Sequence, residues 1–320
     1  MLQGMQSVIA VNMKTNRQAE GPSPSRAAVL VNLSSNNSAG ERKWGRIQNS
    51  VLGALPANTK VVAYSPPFDL AASIRELHER DGISCFISAG GDGTLNRVLN
   101  AVLQVFDGAP DRPCLGAIGL GSRNNFHKPF RGTCLGIPVK IDMAASVLSD
   151  VGQVRYTTDS GEFIRYFITG ASMGLKAEAN QLFNIGDPVI HALKHRFLNL
   201  TILYTAITTL LTYHNVEVEI QHDAAQQMAD LTNLSLVPVT GDVGYLDFDL
   251  CYSLTRIGRL RVLCDVALKR VGRRPGRISM LVHTASLEAQ KPIPLATDGE
   301  IQLARSAMFS VARNKIAFLC

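Results

Sequence analysis

The chain has 320 residues, of which 46% are hydrophobic and 18% charged, a composition that predicts a globular protein of two domains. Its six cysteines show no CxxC spacing, which argues against a disulfide framework or zinc site and favours free thiols in a reducing compartment. The net charge of +6 is modest, and the absence of a nucleic-acid-binding motif ranks nucleic acid last among partners. Because the N-terminus lacks a secretory pattern, we expect a cytoplasmic protein.

The first half of the chain alternates apolar strands with helical periodicity. Residues 1–25 are mostly polar and predict a flexible extension. Strands are predicted at residues 27–31, 60–64, 83–88 and 115–120, and helices at 44–55, 70–80 and from Leu95 onward. This order predicts an open, mainly parallel sheet that binds ligands at the carboxyl ends of its strands.

A glycine-rich turn follows the third predicted strand. Gly90, Gly91, Asp92, Gly93 and Thr94 lie between that apolar strand and the next helix. Glycines let backbone N–H groups approach phosphate oxygens, and the helix N-terminus favours negative charge there. An ordinary tight turn is the alternative, but the added carboxylate and hydroxyl favour a phosphate site.

The second half of the chain has a different pattern, with short alternating segments from about residue 140. Strands are predicted at residues 153–158, 163–170, 216–221, 231–239, 245–252 and 279–287, and helices near 180–212 and 258–271. We therefore divide the chain into an α/β nucleotide-binding domain, 26–138, and a β-rich substrate domain, 139–304. The last run of residues, 305–320, is a candidate for completing the first domain.

Two segments bear on membrane contact. Residues 197–211 are almost wholly apolar or threonine but too short to span a bilayer, so we expect no transmembrane segment and a buried amphipathic helix, a candidate lining for an acyl chain. Basic residues crowd the stretch from Arg256 to Arg277. Peripheral contact with an anionic membrane surface and a merely solvated basic face are both open interpretations of that stretch.

Four later segments decide between the enzyme classes that share such a glycine turn. They read LGAIGLGSRNNF at 115–126, VKID at 139–142, FITGASMG at 167–174 and ATDGE at 296–300. With GGDGT at 90–94, their order and spacing resemble the diacylglycerol kinase catalytic-domain family, particularly the small bacterial soluble lipid kinases, which are related to sphingosine kinases. NAD kinases share the first motif but lack the DGE ending.

The resemblance implies both a fold and an activity. The fold is α/β plus β: an N-terminal NAD-kinase-like, Rossmann-like open parallel sheet and a C-terminal, mainly antiparallel β-sandwich domain. The activity is transfer of the γ-phosphoryl group of ATP, with Mg²⁺, to the hydroxyl of a diacylglycerol-like or long-chain-base lipid in phospholipid metabolism. Such transfer requires positioning, charge neutralisation and a base for the hydroxyl proton.

The resemblance also assigns residues to these roles. Glu300 is the first candidate for the base, Asp298 the second, and Asp92 completes the catalytic set. Asp92 and Asp142 are the candidates for supporting the metal. The nucleotide-binding candidates are Asn32, Ser65, Gly90, Gly91, Asp92, Gly93, Thr94, Leu95, Asn96, Gly121, Ser122, Asn124 and Asn125.

The chain departs from the family pattern at several of these loops. Asn125 stands where the family has aspartate, Leu33 replaces the proline of NPxSGK, and Glu41 occupies its lysine position, with Lys43 close by. An amide keeps the size of a carboxylate but loses its charge. A catalytically impaired relative that binds nucleotide or lipid is therefore the alternative hypothesis. Phosphorylation of a soluble nucleotide or sugar is a third.

Overall fold

A computed structural model describes residues 26–36, 39–109, 111–130, 132–185, 190, 198–223, 225–239, 244–267 and 275–320. The predicted extension over residues 1–25 and the loop at 240–243 lie outside these ranges. So do Lys269, Arg270, Arg273 and Arg274 of the basic stretch. Within the described ranges, every helix is too short or too polar to cross a bilayer.

The N-terminal part is a parallel sheet with helices on both faces. Its strands are β1 (Ala27–Asn32), β2 (Lys60–Tyr64), β3 (Cys85–Gly90) and β4 (Cys114–Gly119). Its helices are α1 (Ala39–Gly53), α2 (Leu70–Asp81) and α3 (Asp92–Val105). The strands lie in the order β2-β1-β3-β4, and all three pairings are parallel.

Burial explains why these apolar runs form the centre of the sheet. Every residue of β1, β3 and β4 is buried. Along β1 the side chains alternate: Ala28 and Leu30 pack with α2 and α3, whereas Val29 and Val31 pack with α1 on the opposite face. Two-sided burial removes the polar alternation typical of a half-exposed strand. The predicted parallel sheet is confirmed.

The remaining strands extend this sheet with pairings that are antiparallel except for that of β15 with β4. They are β5 (Thr133–Cys134), β6 (Ile137–Lys140), β7 (Ser146–Thr158), β8 (Gly161–Phe167), β9 (Ala171–Gly174), β10 (Val216–His222), β11 (Ala225–Pro238), β12 (Leu246–Tyr252), β13 (Arg277–Val282), β14 (Ala285–Thr297) and β15 (Glu300–Leu319). Their helices are α4 (Leu175–Ile185), α5 (Leu198–Thr212) and α6 (Arg256–Ala267). A second apolar core, containing Phe167, Phe248 and Phe309, lies among them.

Strand β15 joins the two parts of the sheet. It pairs antiparallel with β14 at one end and parallel with β4 at Ala317 and Phe318 at the other. The hydrogen-bonded order is β13-β12-β11-β10-β14-β15-β4-β3-β1-β2. Residues 305–320 therefore contact both predicted domains, and the division at residue 138 stays a prediction.

Three local expectations need correction. Helix α3 begins at Asp92 and not at Leu95, because Gly91 serves as its N-cap. Residues 279–287 form the end of β13 and the start of β14, since the chain turns at residues 283–284. Helix α5 is not fully buried: several of its aliphatic side chains face solvent.

Two of the four described arginines of the basic stretch are engaged in the fold. Arg259 is buried and donates to the carbonyl oxygens of Tyr213 and Leu254. Arg277 forms an ion pair with Asp249, with 2.7 Å between Nε and Oδ1. These two side chains stabilise the C-terminal part of the fold and contribute less to a surface charge.

Candidate functional site

The loops that carry the predicted site residues leave the sheet at one edge. Strands β1, β3 and β4 are parallel, so Asn32, Gly90 and Gly119 all lie at carboxyl ends. Leu120 and Gly121 donate backbone hydrogen bonds to the carbonyl of Gly90. The glycine turn and the loop after β4 are thus held together directly.

The N-terminus of α3 presents unpaired backbone donors at this edge. The first backbone hydrogen bond of the helix runs from the N–H of Leu95 to the carbonyl of Gly91, over 3.0 Å. The N–H groups of residues 92–94 therefore have no acceptor within the helix. Together with the helix dipole, these groups favour an anionic ligand.

Two glycines let the loops approach at van der Waals distance. A Cβ atom placed on Gly121 would lie 2.5 Å from the Cα of Gly91, and one on Gly91 would lie 3.3 Å from the Cα of Gly121. Since backbone atoms cannot move aside as a flexible side chain would, neither position accommodates a larger residue without shifting one of the two loops.

Replacing Gly121 with Ala is expected to destabilise the protein by about 2 kcal/mol, as in other overpacked cores. It should also weaken nucleotide binding, because the loop must move away from the glycine turn. Urea denaturation and calorimetry with ADP measure the two effects. Gly45→Ala is the matched control: Gly45 lies in α1, and a methyl group at this position would have no neighbour within 4 Å, so this change should stabilise by about 0.5–1 kcal/mol. Equal behaviour of the two variants would contradict the packing argument.

The first strand-end loop reaches the glycine turn through Thr94. Asn32 Nδ2 donates to Thr94 Oγ1 over 2.9 Å, and Ser35 Oγ lies 3.4 Å from the same oxygen. Asn32 Oδ1 also accepts from the N–H of Ser34, which closes the loop on itself. All three side chains of the Asn32–Ser35–Thr94 contact are buried, so this loop has a fixed position.

Lys43 supplies a positive charge at the loop after β4. Its Nζ donates to the carbonyl oxygens of Leu120 and Gly121 over 3.0 and 3.1 Å. Partial burial lowers the pKa of Lys43. The sequence placed Lys43 only near the lysine position of the family motif; the structure shows that it contacts the site loop, although Glu41 occupies that position.

Asp92 holds the loop after β4 from the other side. Its Oδ2 accepts from the N–H of Asn125 over 3.0 Å, and its Oδ1 accepts from the N–H of Phe126 over 3.2 Å. Asn124 adopts a left-handed conformation (φ 48°) and donates to the carbonyls of Gly119 and Gly121. Each Asp92 oxygen keeps a further lone pair for a cation or water.

The Asp-Gly-Glu turn between β14 and β15 is fastened by Asp298. Its Oδ1 accepts from the N–H and the hydroxyl of Thr169, both over 2.7 Å, and from the N–H of Gly170 over 3.0 Å. Its Oδ2 accepts from Asn96 Nδ2 over 2.8 Å and from the N–H of Ile168 over 2.9 Å. Five donors occupy this carboxylate, so it is poorly placed to take a proton from a substrate.

Glu300 lies beside the glycine turn. A Cβ atom placed on Gly93 would be 2.5 Å from Glu300 Oε1. Glu300 is half-buried, and its carboxylate accepts no hydrogen bond and forms no ion pair within the described residues. Asn184 of α4 donates to the carbonyl of Gly299 over 3.0 Å and so supports the turn. The structure therefore places the Glu300 carboxylate beside Gly93, the residue that follows Asp92 in the glycine turn.

The other predicted residues fall into three groups. Asn96 is fully buried and joins α3 to Asp298 and to the carbonyl of Tyr166, and Leu95 packs in the apolar core. Ser65 and Ser122 are exposed on loops at the same sheet edge. Asp142 accepts from the N–H of Ala144 in its own turn, and no contact joins it to Asp92 within the described residues.

The carboxylates present fit a phosphate-bound magnesium ion better than a fully protein-bound one. No cluster of three or more His, Cys, Asp or Glu side chains that could hold a metal occurs within the described ranges. Mg²⁺ in nucleotide enzymes is held by one or two carboxylates together with substrate phosphates. Asp92, at the start of α3 beside the backbone N–H groups of its first turn, matches that donor set.

A cleft of about 1550 Å³ opens next to these loops. Asn125, Lys128 and Lys140 line it on one side, and Ile168 and Thr169 line it on the other. Thr169 also binds Asp298, so the cleft borders the segment that holds the Asp-Gly-Glu turn, although Asp92 and Glu300 do not line it. The family resemblance includes the segment that contains Thr169 but assigns that residue no role; three of the five donors to Asp298 come from residues 169 and 170.

Comparison with known proteins shows which family the sequence of the N-terminal part is similar to. Residues 26–158 match the family model of the diacylglycerol kinase catalytic domain. A diacylglycerol kinase of Staphylococcus saprophyticus subsp. saprophyticus is 39% identical over 89 residues, 28% of this chain and 26% of the relative. The probable lipid kinase YegS of Salmonella heidelberg is 42% identical over 65 residues, 20% of this chain and 19% of the relative. The chain is thus aligned with only about a quarter or less of these relatives' lengths.

The fold is shared over a longer range. A putative diacylglycerol kinase from Bacillus anthracis str. Sterne superposes with a TM-score of 0.66 and 16% identity, covering 92% of this chain and 97% of that chain. A second structure described as a diacylglycerol kinase from the same organism gives a TM-score of 0.61 at 13% identity, with the same coverage. The predicted resemblance is confirmed: residues 26–158 carry a diacylglycerol kinase catalytic-domain sequence, and the chain has the fold of these proteins.

Proposed function

We propose that this protein is a lipid kinase that transfers the γ-phosphoryl group of ATP to a lipid hydroxyl. The observation that carries the proposal is the position of Glu300 against Gly93, in the first turn of a helix with unpaired N–H groups. In this arrangement the first turn of α3 would bind the phosphoryl group, and the Glu300 carboxylate would lie next to the hydroxyl that receives it. The match of residues 26–158 to a kinase catalytic domain supports it.

In this proposal the backbone binds the nucleotide phosphates. The N–H groups at 92–94 donate to phosphate oxygens, and Gly91 and Gly121 permit the close approach. Lys43 holds the carbonyl groups of the neighbouring loop and adds positive potential. Mg²⁺, when bound through Asp92 and the phosphates, neutralises charge on the transferring group.

Glu300 is the proposed proton acceptor for the lipid hydroxyl. A base must lie within hydrogen-bond reach of the proton it takes and must be unoccupied when substrate arrives. The Glu300 carboxylate meets the second condition within the described residues, whereas five donors occupy Asp298. We therefore assign Asp298 to positioning: it holds the turn that aims Glu300 at the phosphate site.

The proposed acceptor is a diacylglycerol-like or long-chain-base lipid that enters through the cleft beside Thr169. Incubation of the pure protein with γ-labelled ATP, Mg²⁺ and a total lipid extract tests this proposal. Label should appear in an organic-soluble product that comigrates with a lipid phosphate. Label in soluble metabolites alone would overturn the lipid assignment and favour a nucleotide or sugar acceptor.

Asn125 motivates the alternative of a nucleotide-binding or lipid-binding relative without turnover. Its Oδ1 accepts from Lys128 Nζ over 2.9 Å, and its N–H donates to Asp92, so the side chain position lies next to the proposed metal carboxylate. An amide there contributes no negative charge. ATP binding without transfer to any lipid would favour this alternative.

Asn125→Asp is expected to lower the Mg²⁺ concentration for half-maximal transfer by roughly tenfold, because a second carboxylate beside Asp92 strengthens cation binding. Titration of Mg²⁺ at saturating ATP measures it. Asn49→Asp is the control, because Asn49 is an exposed asparagine of α1 and does not contact Asp92. If the wild type transfers no phosphoryl group and Asn125→Asp does, the asparagine at position 125 is the cause of the missing activity.

A further inference from the structure

Helix α5 exposes four aliphatic side chains and buries three threonines, which is unusual for a helix in water, although Leu210 is buried as well. Thr201, Thr205 and Thr209 are buried against the protein. The aliphatic side chains at 200, 203, 207 and 211 are each more than half exposed, and their spacing of three and four places them on one face. In a water-exposed helix the aliphatic face packs inward.

Two of the buried threonines form hydrogen bonds within the helix. Thr205 Oγ1 donates to the carbonyl of Thr201, and Thr209 Oγ1 donates to that of Thr205, both over 2.8 Å. The hydroxyl groups of Thr205 and Thr209 are therefore satisfied within the helix. Leucine could fill the inner positions equally well, so burial alone does not explain why the aliphatic residues lie outside.

The neighbouring helix extends the apolar surface and adds positive charge. Helix α6 packs against α5, and its Ile257 and Leu260 are more than half exposed. Arg256 and Arg261 are exposed on the same helix. Residues 198–212 contain no charged side chain, and residues 256–267 contain three arginines and one aspartate.

We propose that this α5–α6 face, formed by Leu200, Leu203, Ile207, Leu211, Ile257 and Leu260 with Arg256 and Arg261, docks onto an anionic lipid bilayer. An apolar stripe bordered by arginines, without acidic residues on α5, matches the acyl–headgroup boundary of such a membrane. The helix lies in the interface and does not span it. A neutral protein partner would match the leucines but would leave the arginines without a counter-charge.

The position of the face gives the docking a use. Helix α5 packs against α4, and Asn184 of α4 binds the carbonyl of Gly299 in the Asp-Gly-Glu turn. The proposed bilayer surface is therefore one helix away from the proposed base. Docking there would hold the Asp-Gly-Glu turn near the membrane surface, and it goes beyond the proposed function because binding requires no phosphoryl transfer.

Vesicle sedimentation tests the proposal with the whole chain. The wild type should sediment with vesicles of phosphatidylcholine and phosphatidylglycerol, should bind pure phosphatidylcholine vesicles more weakly, and should be partly released by high salt. The variant carrying both Leu203→Asp and Ile207→Asp should lose at least tenfold in vesicle affinity. Arg256→Glu with Arg261→Glu should weaken binding to the anionic vesicles and leave binding to the neutral ones unchanged.

The control carries Met228→Asp and Leu303→Asp, two similarly exposed apolar side chains on β11 and β15, and should sediment like the wild type. If the aspartate pair on α5 does not fold by circular dichroism, Leu203→Ser with Ile207→Ser replaces it. Unchanged sedimentation of the α5 variant would overturn the proposal. So would a wild-type dimer in analytical ultracentrifugation that this variant abolishes while vesicles bind neither protein. Because sedimentation requires no ATP, its result does not depend on the kinase proposal.

Discussion

Glu300→Gln is expected to lower kcat for phosphoryl transfer by about a hundredfold to ten-thousandfold, the usual contribution of a general base. The glutamine keeps the size of the side chain beside Gly93 but cannot accept the hydroxyl proton. The affinity for ATP should change little, because the proposed phosphate donors are backbone groups at 92–94. Steady-state kinetics with labelled ATP and the active lipid measure both quantities.

Glu288→Gln is the matched control for this prediction. Glu288 is an exposed carboxylate on β14, the strand that precedes the Asp-Gly-Glu turn, and it pairs in register with Ser306. Its loss should leave kcat within about twofold of the wild type, as for other surface substitutions. A Glu300→Gln protein with wild-type kcat would remove Glu300 as the base and would require another proton acceptor in the cleft.

Asp298→Ala is expected to destabilise the fold by about 3 kcal/mol as well as to reduce activity. The change leaves five donors without an acceptor, one of them on the fully buried Asn96, and each unsatisfied buried donor costs roughly 1–3 kcal/mol. Water can replace the acceptor at the more exposed Thr169, which keeps the total below the full sum. Urea denaturation gives the free energy of unfolding.

Asp298→Asn separates positioning from proton transfer. Either orientation of the amide turns an NH₂ group toward donors that now bind a carboxylate oxygen, so stability should fall by at least about 1 kcal/mol. Glu300→Gln, in contrast, should leave stability within about 0.5 kcal/mol of the wild type, as at a surface site. If Asp298→Asn were as stable as the wild type but without turnover, Asp298 would be a base and the two roles would have to be exchanged.

The sequence predicted the N-terminal parallel sheet well because its signals are local. Gly90, Gly91 and Gly93 follow an uninterrupted apolar strand, and a two-sided buried strand ending in glycines before a helix has few other interpretations. The motif at 115–126 then placed a second loop at the same sheet edge, since parallel strands end together. The helix start was misplaced by three residues, from Asp92 to Leu95, because the hydrophobic periodicity begins one turn after the cap.

Side-chain roles within the Asp-Gly-Glu turn could not be read from the motif. Asp298 and Glu300 are two residues apart and chemically similar, so the sequence ranked them only by resemblance. The structure separates them because residues 168–170 and Asn96 surround one carboxylate, and Gly93 lies beside the other. Those neighbours are more than a hundred residues away along the chain, and no local pattern reports them.

The sequence by itself determined which residues lie at the ends of the parallel strands, because uninterrupted apolar runs are followed directly by the glycine, carboxylate and hydroxyl residues. Only the tertiary structure decided how β15 connects the two parts of the sheet, which carboxylate is left unoccupied, and which face of α5 points outward. Each of these depends on contacts between segments far apart in the chain. A helix whose threonines are buried and whose leucines are exposed has the same periodicity as its opposite, so only packing distinguishes the two.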